Sequence, residues 1–289
     1  FLDVGFHSGV KAQVYHADPC PTPSLSSSMA ALMIERSPAH ARLSHPKLCS
    51  EYVPRATTDG MNFGSVGHEL LLGAGGGIAV FDGDSWRGKE ATAFKAAAEL
   101  EGKTPIKRDD YDLISKCCES AREQMRSMGL GYVLEEGRSE EVAIWTHRGQ
   151  YMRAMFDRWI PERGEIWDLK FTGKSAHPHE IQRTITNMAY DLRSEFYLTG
   201  ASALTGIPAR KGGLGYQFLF IETEPPFCVT PCFLPESLRI RGKNLAQEAM
   251  DKFCDCMESG VWPGYVTSTV EIESPSWVEH EIADSITGS

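Results

Sequence analysis

The sequence predicts a mixed α/β fold. It has one core, in the order helix, three strands, helix, strand, carrying an N-terminal helical elaboration. Three observations carry this expectation. Residues 151–170 read YMRAMFDRWIPERGEIWDLK: two apolar, β-prone runs (152–160 and Glu165–Thr172) separated by a Pro-Glu-Arg-Gly turn, which is a hairpin pattern. Downstream, Ile181, Ile185, Met188, Leu192 and Phe196 recur at helical spacing across residues 179–199. The near-continuous apolar run Gly215–Glu222 then reads as a buried strand.

The remaining elements follow in order. Residues 1–25 are polar and proline-punctuated and read as an extended lead-in. Ser26, Ser27 and Ser28 open an apolar helical run that closes at Ser37-Pro38; hydroxyls and free N–H groups at such a start can cap the helix or bind a phosphate. Residues 63–72 form a helix whose small residues Gly64, Ser65 and Gly67 allow close approach and place His68 near its start, and the GAGGG run at 73–77 ends it. The loop at 83–89 mixes Trp86 with Arg87 and Lys89, a pattern able to meet bases and phosphates. Helices are expected at 90–100 and 109–128. A strand at 140–147 joins the hairpin through Arg148-Gly149-Gln150 to make a three-stranded meander. A strand at 227–234 and a helix over Glu236–Ser259 complete the core, and the last residues of the tail are expected to be unstructured. The economical division is one domain: a helical part over 1–135 carrying His68, a core over 136–260 and a tail over 261–289.

With 289 residues, 42% hydrophobic and 24% charged, the chain can bury a sizeable core. It contains no apolar run near the ~20 residues of a membrane span and no basic-then-apolar leader, so a cytosolic protein without a membrane partner is expected. The net charge of −10, from 29 basic and 39 acidic residues, excludes a generic polyanion binder. It leaves room for clustered acids holding a metal ion beside a local basic channel. The eight cysteines are expected as free thiols. An iron–sulfur cluster is the sharper alternative, although their spacing matches no familiar cluster pattern.

The chemistry concentrates on the hairpin. Asp157 and Asp168 lie one on each run, and side-chain alternation points Asp168 and Lys170 the same way. Two carboxylates supply hard oxygens suited to Mg2+ or Mn2+, and the Leu169 carbonyl between acid and lysine is a further candidate ligand. A lysine beside them can orient a water and offset charge on a phosphoryl centre. The bland alternative is a salt-bridged surface hairpin, since Asp-x-Lys is common by itself.

Several motifs together resemble the RecE-type phage exonucleases (exonuclease VIII C-terminal domain) of the PD-(D/E)xK superfamily, related to lambda exonuclease. They are Val14-Tyr15-His16-Ala17-Asp18-Pro19 before the serine-opened helix, and Gly64-Ser65-Val66-Gly67-His68. Next come Arg153 with Asp157, then Asp168-Leu169-Lys170 followed by Thr172, then Tyr190, Phe196-Tyr197 and Trp262-Pro263. The resemblance implies a restriction-endonuclease-like core, a mixed central sheet flanked by helices. It implies Mg2+-dependent 5′→3′ degradation of linear double-stranded DNA, with Mn2+ able to substitute, leaving 3′ single strands for an annealing protein in recombination. A trimeric or tetrameric ring acting on DNA ends, encoded by a phage or prophage and working in the bacterial cytoplasm, is implied as well. By position, His68, Asp157, Asp168 and the Leu169 carbonyl would hold the metal, with Lys170 the catalytic lysine. Ser26, Ser27, Ser28, Arg153, Thr172, Tyr190 and Arg193 would meet DNA.

One departure stands out. The family helix has Gln three residues after its tyrosine, and this chain has Arg193 there. A guanidinium cannot accept a hydrogen bond from a water, but it can clamp a phosphate. Two other readings therefore stay open: an iron–sulfur nuclease of the CRISPR-adaptation or helicase-nuclease type, and a catalytically weak DNA-end binding module.

Overall fold

Residues 1–54, 57–210, 212–266 and 268–287 are described by a computed structural model. Strand β1 (Gly5–His7), helix α1 (Ala12–His16) and strand β2 (Ser24–Ser26) open the chain. Helices α2 (Ser27–Glu35), α3 (Pro38–Leu43) and α4 (Asp59–Leu72) follow. Each of these three starts on a hydroxyl: Ser26, Ser37 and Thr58 accept from the backbone N–H three residues on, satisfying a donor that the first turn leaves free. Gly73, at φ 67°, closes α4 in the left-handed conformation that glycine adopts without cost.

Strand β3 (Ile78–Phe81), helix α5 (Lys89–Leu100) and strand β4 (Thr104–Lys107) form a small parallel strand–helix–strand unit. Helices α6 (Arg108–Ser127) and α7 (Tyr132–Glu135) lead into the meander β5 (Arg138–His147), β6 (Gln150–Ile160) and β7 (Glu165–Thr172). Then come α8 (Pro178–Asn187), α9 (Tyr190–Thr205), β8 (Gly215–Glu222), β9 (Val229–Phe233), α10 (Glu236–Ser259) and α11 (Ser276–Thr287).

Among the described residues the main sheet has seven strands, in the order β1-β5-β6-β7-β8-β9, with β2 added alongside β6. Most pairs are antiparallel; β2–β6 and β7–β8 are parallel. Helices cover both faces. On one, Phe156, Ile166, Phe218 and Phe220 pack with Phe196 of α9 and Phe253 of α10. On the other, Trp167, Leu169, Leu219 and Ile221 pack with Val66 of α4 and Ile114 of α6. The alternation along β7 is what serves both cores at once. Each fully buried aromatic or aliphatic side chain contributes roughly 1.5–3 kcal/mol.

Several expectations are corrected. The lead-in is not free-standing: β1 pairs with β5 and β2 with β6, so the N-terminal part supplies two sheet strands as well as helices. Three-residue strands are too short for the period of two to show in sequence. Ser37-Pro38 starts a second helix besides ending the first. His68 lies in the last turns of α4, because that helix begins at Asp59. The single helix expected over 179–199 is two, broken at Ala189, which takes a left-handed φ of 49°. Its apolar period survives the break because Ile181, Ile185, Leu192 and Phe196 all face the same core. The small strands β3 and β4 were not anticipated. In the tail, residues 276–287 are helical, against the expectation of an unstructured end; the part of that expectation that falls on residues 288–289 lies outside the described residues. Among the described residues, no helix is long and apolar enough to cross a membrane.

Candidate active site

The ladder between β6 and β7 is short, running only through Arg158↔Trp167, Trp159↔Ile166 and Ile160↔Glu165. Beyond it the strands fork, β6 pairing with β2 and β7 with β8. Asp157 and Asp168 are the first residues past the fork. There β7 keeps β8 but loses β6 as a partner, and on that side the Asp157 carboxylate replaces it: Oδ2 accepts from the Leu169 N–H at 2.8 Å. This fixes the Leu169 peptide, whose carbonyl lies 2.9 Å from His68 Nε2. With Nε2 as the donor, Nδ1 turns its lone pair toward Asp157 Oδ2, 3.6 Å away.

Asp168 is 8% exposed. Its pKa is pushed up to about 6, first by burial and further by Asp157, while Lys170 opposes the shift. Lys170 Nζ sits 2.5 Å from Asp168 Oδ1, so acid and lysine share a face as expected. Burial would lower the Lys170 pKa, but Asp168 and then Asp157 outweigh it and raise it, so the ammonium stays charged. His68 goes the other way, down to about 4, from burial and then Lys170. It is therefore neutral at physiological pH, the form in which imidazole binds metals.

Helix α4 reaches this point because residue 67 is glycine. A Cβ there would stand 2.4 Å from the Phe171 ring. Gly67→Ala is expected to destabilise the protein by about 1–3 kcal/mol through this overpacking, readable in urea unfolding.

Two carboxylates, one carbonyl and one neutral imidazole suit a hard divalent cation such as Mg2+ or Mn2+. In the free protein other groups occupy those donors, Lys170 on Asp168 and His68 on the Leu169 carbonyl. Among the described residues no three His, Cys, Asp or Glu side chains are gathered where they could hold a metal ion.

The other expected site residues divide. The Tyr190 ring stacks on Phe218 at 5.8 Å and lies under the Lys170 ammonium at 5.1 Å. Arg193, three residues on, has its guanidinium carbon 6.0 Å from the same ring. Thr172 stands on the Asp168–Lys170 face of β7, where its hydroxyl accepts from the Lys174 N–H. Of the serines, Ser26 and Ser27 are buried, Ser26 as the cap of α2 and Ser27 donating to Tyr197 Oη at 3.2 Å. Ser28 is exposed.

Arg153 is a correction. It is 3% exposed, donates to the Ser24 hydroxyl at 2.6 Å and pairs with Asp18 at 3.4 Å. Its guanidinium ties β6 to the lead-in and is not presented to a duplex. Trp86 likewise stacks on Phe81 at 5.2 Å under Lys95, packing on its own small unit. The cysteines are scattered: Cys117 and Cys118 in one core, Cys254 and Cys256 in a second, Cys20 in a third. All eight are free thiols.

Two site-side tyrosines were given no role from sequence, although Tyr197 belongs to the Phe196-Tyr197 motif. Tyr216 sits on β8; its phenol is pushed far up, first by burial and then by the Asp168 charge. Tyr197, two helical turns beyond Tyr190, is pushed up to about 12 by burial. Tyr197's spacing from Tyr190 was the available signal. Tyr216 had none, being one more aromatic in an apolar run.

A forked sheet presenting Asp, Asp-x-Lys and a helix-borne histidine, with helices on both faces, defines an enzyme of the PD-(D/E)xK nuclease class. A family model described as PDDEXK-like domain of unknown function (DUF3799) matches residues 26–273, and the chain belongs to that family. No curated protein matches the chain. Among solved structures, a proposed exonuclease from Eubacterium rectale superposes with a TM-score of 0.61 at 11% identity, over 93% of this chain and 96% of that one. A phage related exonuclease from Haemophilus somnus 129PT aligns over 81% of this chain and 96% of that one, at 12% identity and a TM-score of 0.31.

Proposed function

We propose that the protein is a metal-dependent exonuclease that degrades linear double-stranded DNA from its 5′ ends. The observation carrying this reading is the meeting of His68, Asp157, Asp168, the Leu169 carbonyl and Lys170 at the β6–β7 fork. Asp157, Asp168, the Leu169 carbonyl and His68 would hold Mg2+, or Mn2+ in its place. Bound there, the ion supplies charge stabilisation at the phosphate and a more acidic water.

The chain's own residues do the rest. Asp157 keeps the Leu169 peptide turned so that its carbonyl faces His68. Lys170, charged and held over Tyr190, places a cation where negative charge grows on the phosphate and where an attacking water can be oriented. Neutral His68 offers a lone pair without repelling a cation. Tyr190, Thr172 and Arg193 line the approach for the DNA strand.

The finer features rest on the motif resemblance to RecE-type enzymes. They are 5′→3′ polarity, a ring of three or four subunits around DNA, 3′ single strands handed to an annealing protein, and a phage or prophage origin with action in the bacterial cytoplasm. Polarity is tested with a duplex labelled at its 5′ or 3′ ends. Labelled mononucleotides are expected at the earliest times from the 5′ label alone; early release from the 3′ label would refute the polarity.

A further inference from the structure

Arg193 lines the proposed DNA approach, but nothing so far says what its guanidinium holds. It lies on α9 with Tyr190 one turn before and Tyr197 one turn after, so the three share a helix face. That face looks onto the acid pair: Tyr190 carries the Lys170 ammonium, and both Asp168 and Asp157 raise the Tyr197 pKa. The arginine is only partly exposed and its Nε is fully shielded from solvent, without a hydrogen-bond partner. Among the described residues its guanidinium makes no ion pair and no hydrogen bond.

Arg153 and Arg158 also have an unpartnered Nε, but their terminal nitrogens are held, Arg153 by Ser24 and Asp18 and Arg158 by the Leu134 carbonyl, and half-buried Arg239 pairs with Glu195. A half-buried cation without an anion lowers stability. Nor do the site's own carboxylates serve Arg193, since Asp168 is taken by Lys170 and Asp157 by the Leu169 N–H.

We infer that Arg193 is a phosphate clamp, a second cation beside the Tyr190 ring in addition to Lys170. Its ligand is a phosphate oxyanion of the DNA strand, taken by the planar fork of guanidinium N–H groups. Two sources share this chemistry, the terminal 5′-phosphomonoester and an internal phosphodiester. The inference rests on the nuclease reading and specifies how that site grips its substrate.

The test is DNA binding in EDTA, where no degradation occurs. Linear duplexes with 5′-phosphate or 5′-hydroxyl ends are titrated against wild type, Arg193→Gln and Arg193→Lys over a range of salt. Arg193→Gln is expected to weaken binding on the order of tenfold. It should also flatten the slope of log K against log salt by about 0.9, one phosphate contact. Arg193→Lys should keep most of the slope and less of the affinity, as a point charge without the fork. A loss limited to phosphorylated ends identifies the phosphomonoester, and an equal loss on both identifies the phosphodiester. Because the Arg193 guanidinium makes no ion pair or hydrogen bond among the described residues, the thermal midpoint of Arg193→Gln should equal or exceed that of wild type. Unchanged affinity and slope, or a lowered midpoint marking a structural role, would overturn the clamp. Arg193-dependent binding without any degradation in metal would instead sink the nuclease reading and leave the clamp standing.

Discussion

Asp168→Asn is expected to reduce DNA degradation on the order of a thousandfold or more, while the protein stays folded. The change keeps shape and volume but removes the anion that both Lys170 and a bound cation require. Lys170→Ala should act similarly, leaving Asp168 without its 2.5 Å partner. A pH signature accompanies the change in metal-free protein. The Asp168 pKa is raised to about 6, so the folded state holds its proton more tightly than the unfolded chain. Its contribution to stability therefore falls as pH rises from the ordinary carboxylate range to about 6. His68, lowered to about 4, has the opposite sign: its contribution rises with pH from about 4 to the ordinary histidine value. The two slopes oppose each other across one window. Thermal midpoints in EDTA should vary little in wild type over this range, while Asp168→Asn should show a midpoint that climbs with pH. A midpoint for Asp168→Asn that stays flat or falls would show that His68 is not held neutral by burial.

The largest effect on stability is expected away from the site, at Asp18. Its carboxylate accepts from the Ser24 N–H at 2.8 Å and the Ser24 hydroxyl at 2.7 Å, and faces His45 at 3.3 Å and Arg153 at 3.4 Å. Burial alone would raise its pKa. The hydrogen bond from His45, then Arg153, then Ser24 overcome that and hold it well below the usual carboxylate range. Such a depressed acid contributes stability above its unfolded pKa, and the contribution is lost as pH falls below it. Asp18→Asn should cost about 3–5 kcal/mol in urea unfolding, chiefly by leaving Arg153 buried without a counter-charge. Arg153→Met combined with Asp18→Asn should cost clearly less than the two single changes added together. Strict additivity would show that the pair is not coupled.

The parts of this molecule that were legible in sequence are those whose signals are local. Glu165–Thr172, Gly215–Glu222 and Glu236–Ser259 have the bounds expected from their apolar period and their Gly or Pro borders. The pairing of Asp168 with Lys170 follows from strand alternation alone. What stayed hidden depends on distant chain. The three-residue strands β1 and β2 exist because β5 and β6 offer them open edges. The break at Ala189 is a backbone choice at one residue, masked by apolar positions that continue across it. Arg153 was expected at DNA only through the motif resemblance, and Asp18, far away in sequence, shows it to be internal. The fork between β6 and β7, which gathers the site, cannot be seen in a hairpin pattern that looks continuous.

The central claim is that this fork is a metal-dependent nuclease site acting at DNA ends. The most direct measurement is nucleotide release from linear duplex and from covalently closed circular duplex, each with Mg2+ and with EDTA, by wild type and Asp168→Asn in parallel. Release from the linear substrate alone, only with Mg2+ and only by wild type, is the predicted result. Equal release by Asp168→Asn, or release that persists in EDTA, would contradict it.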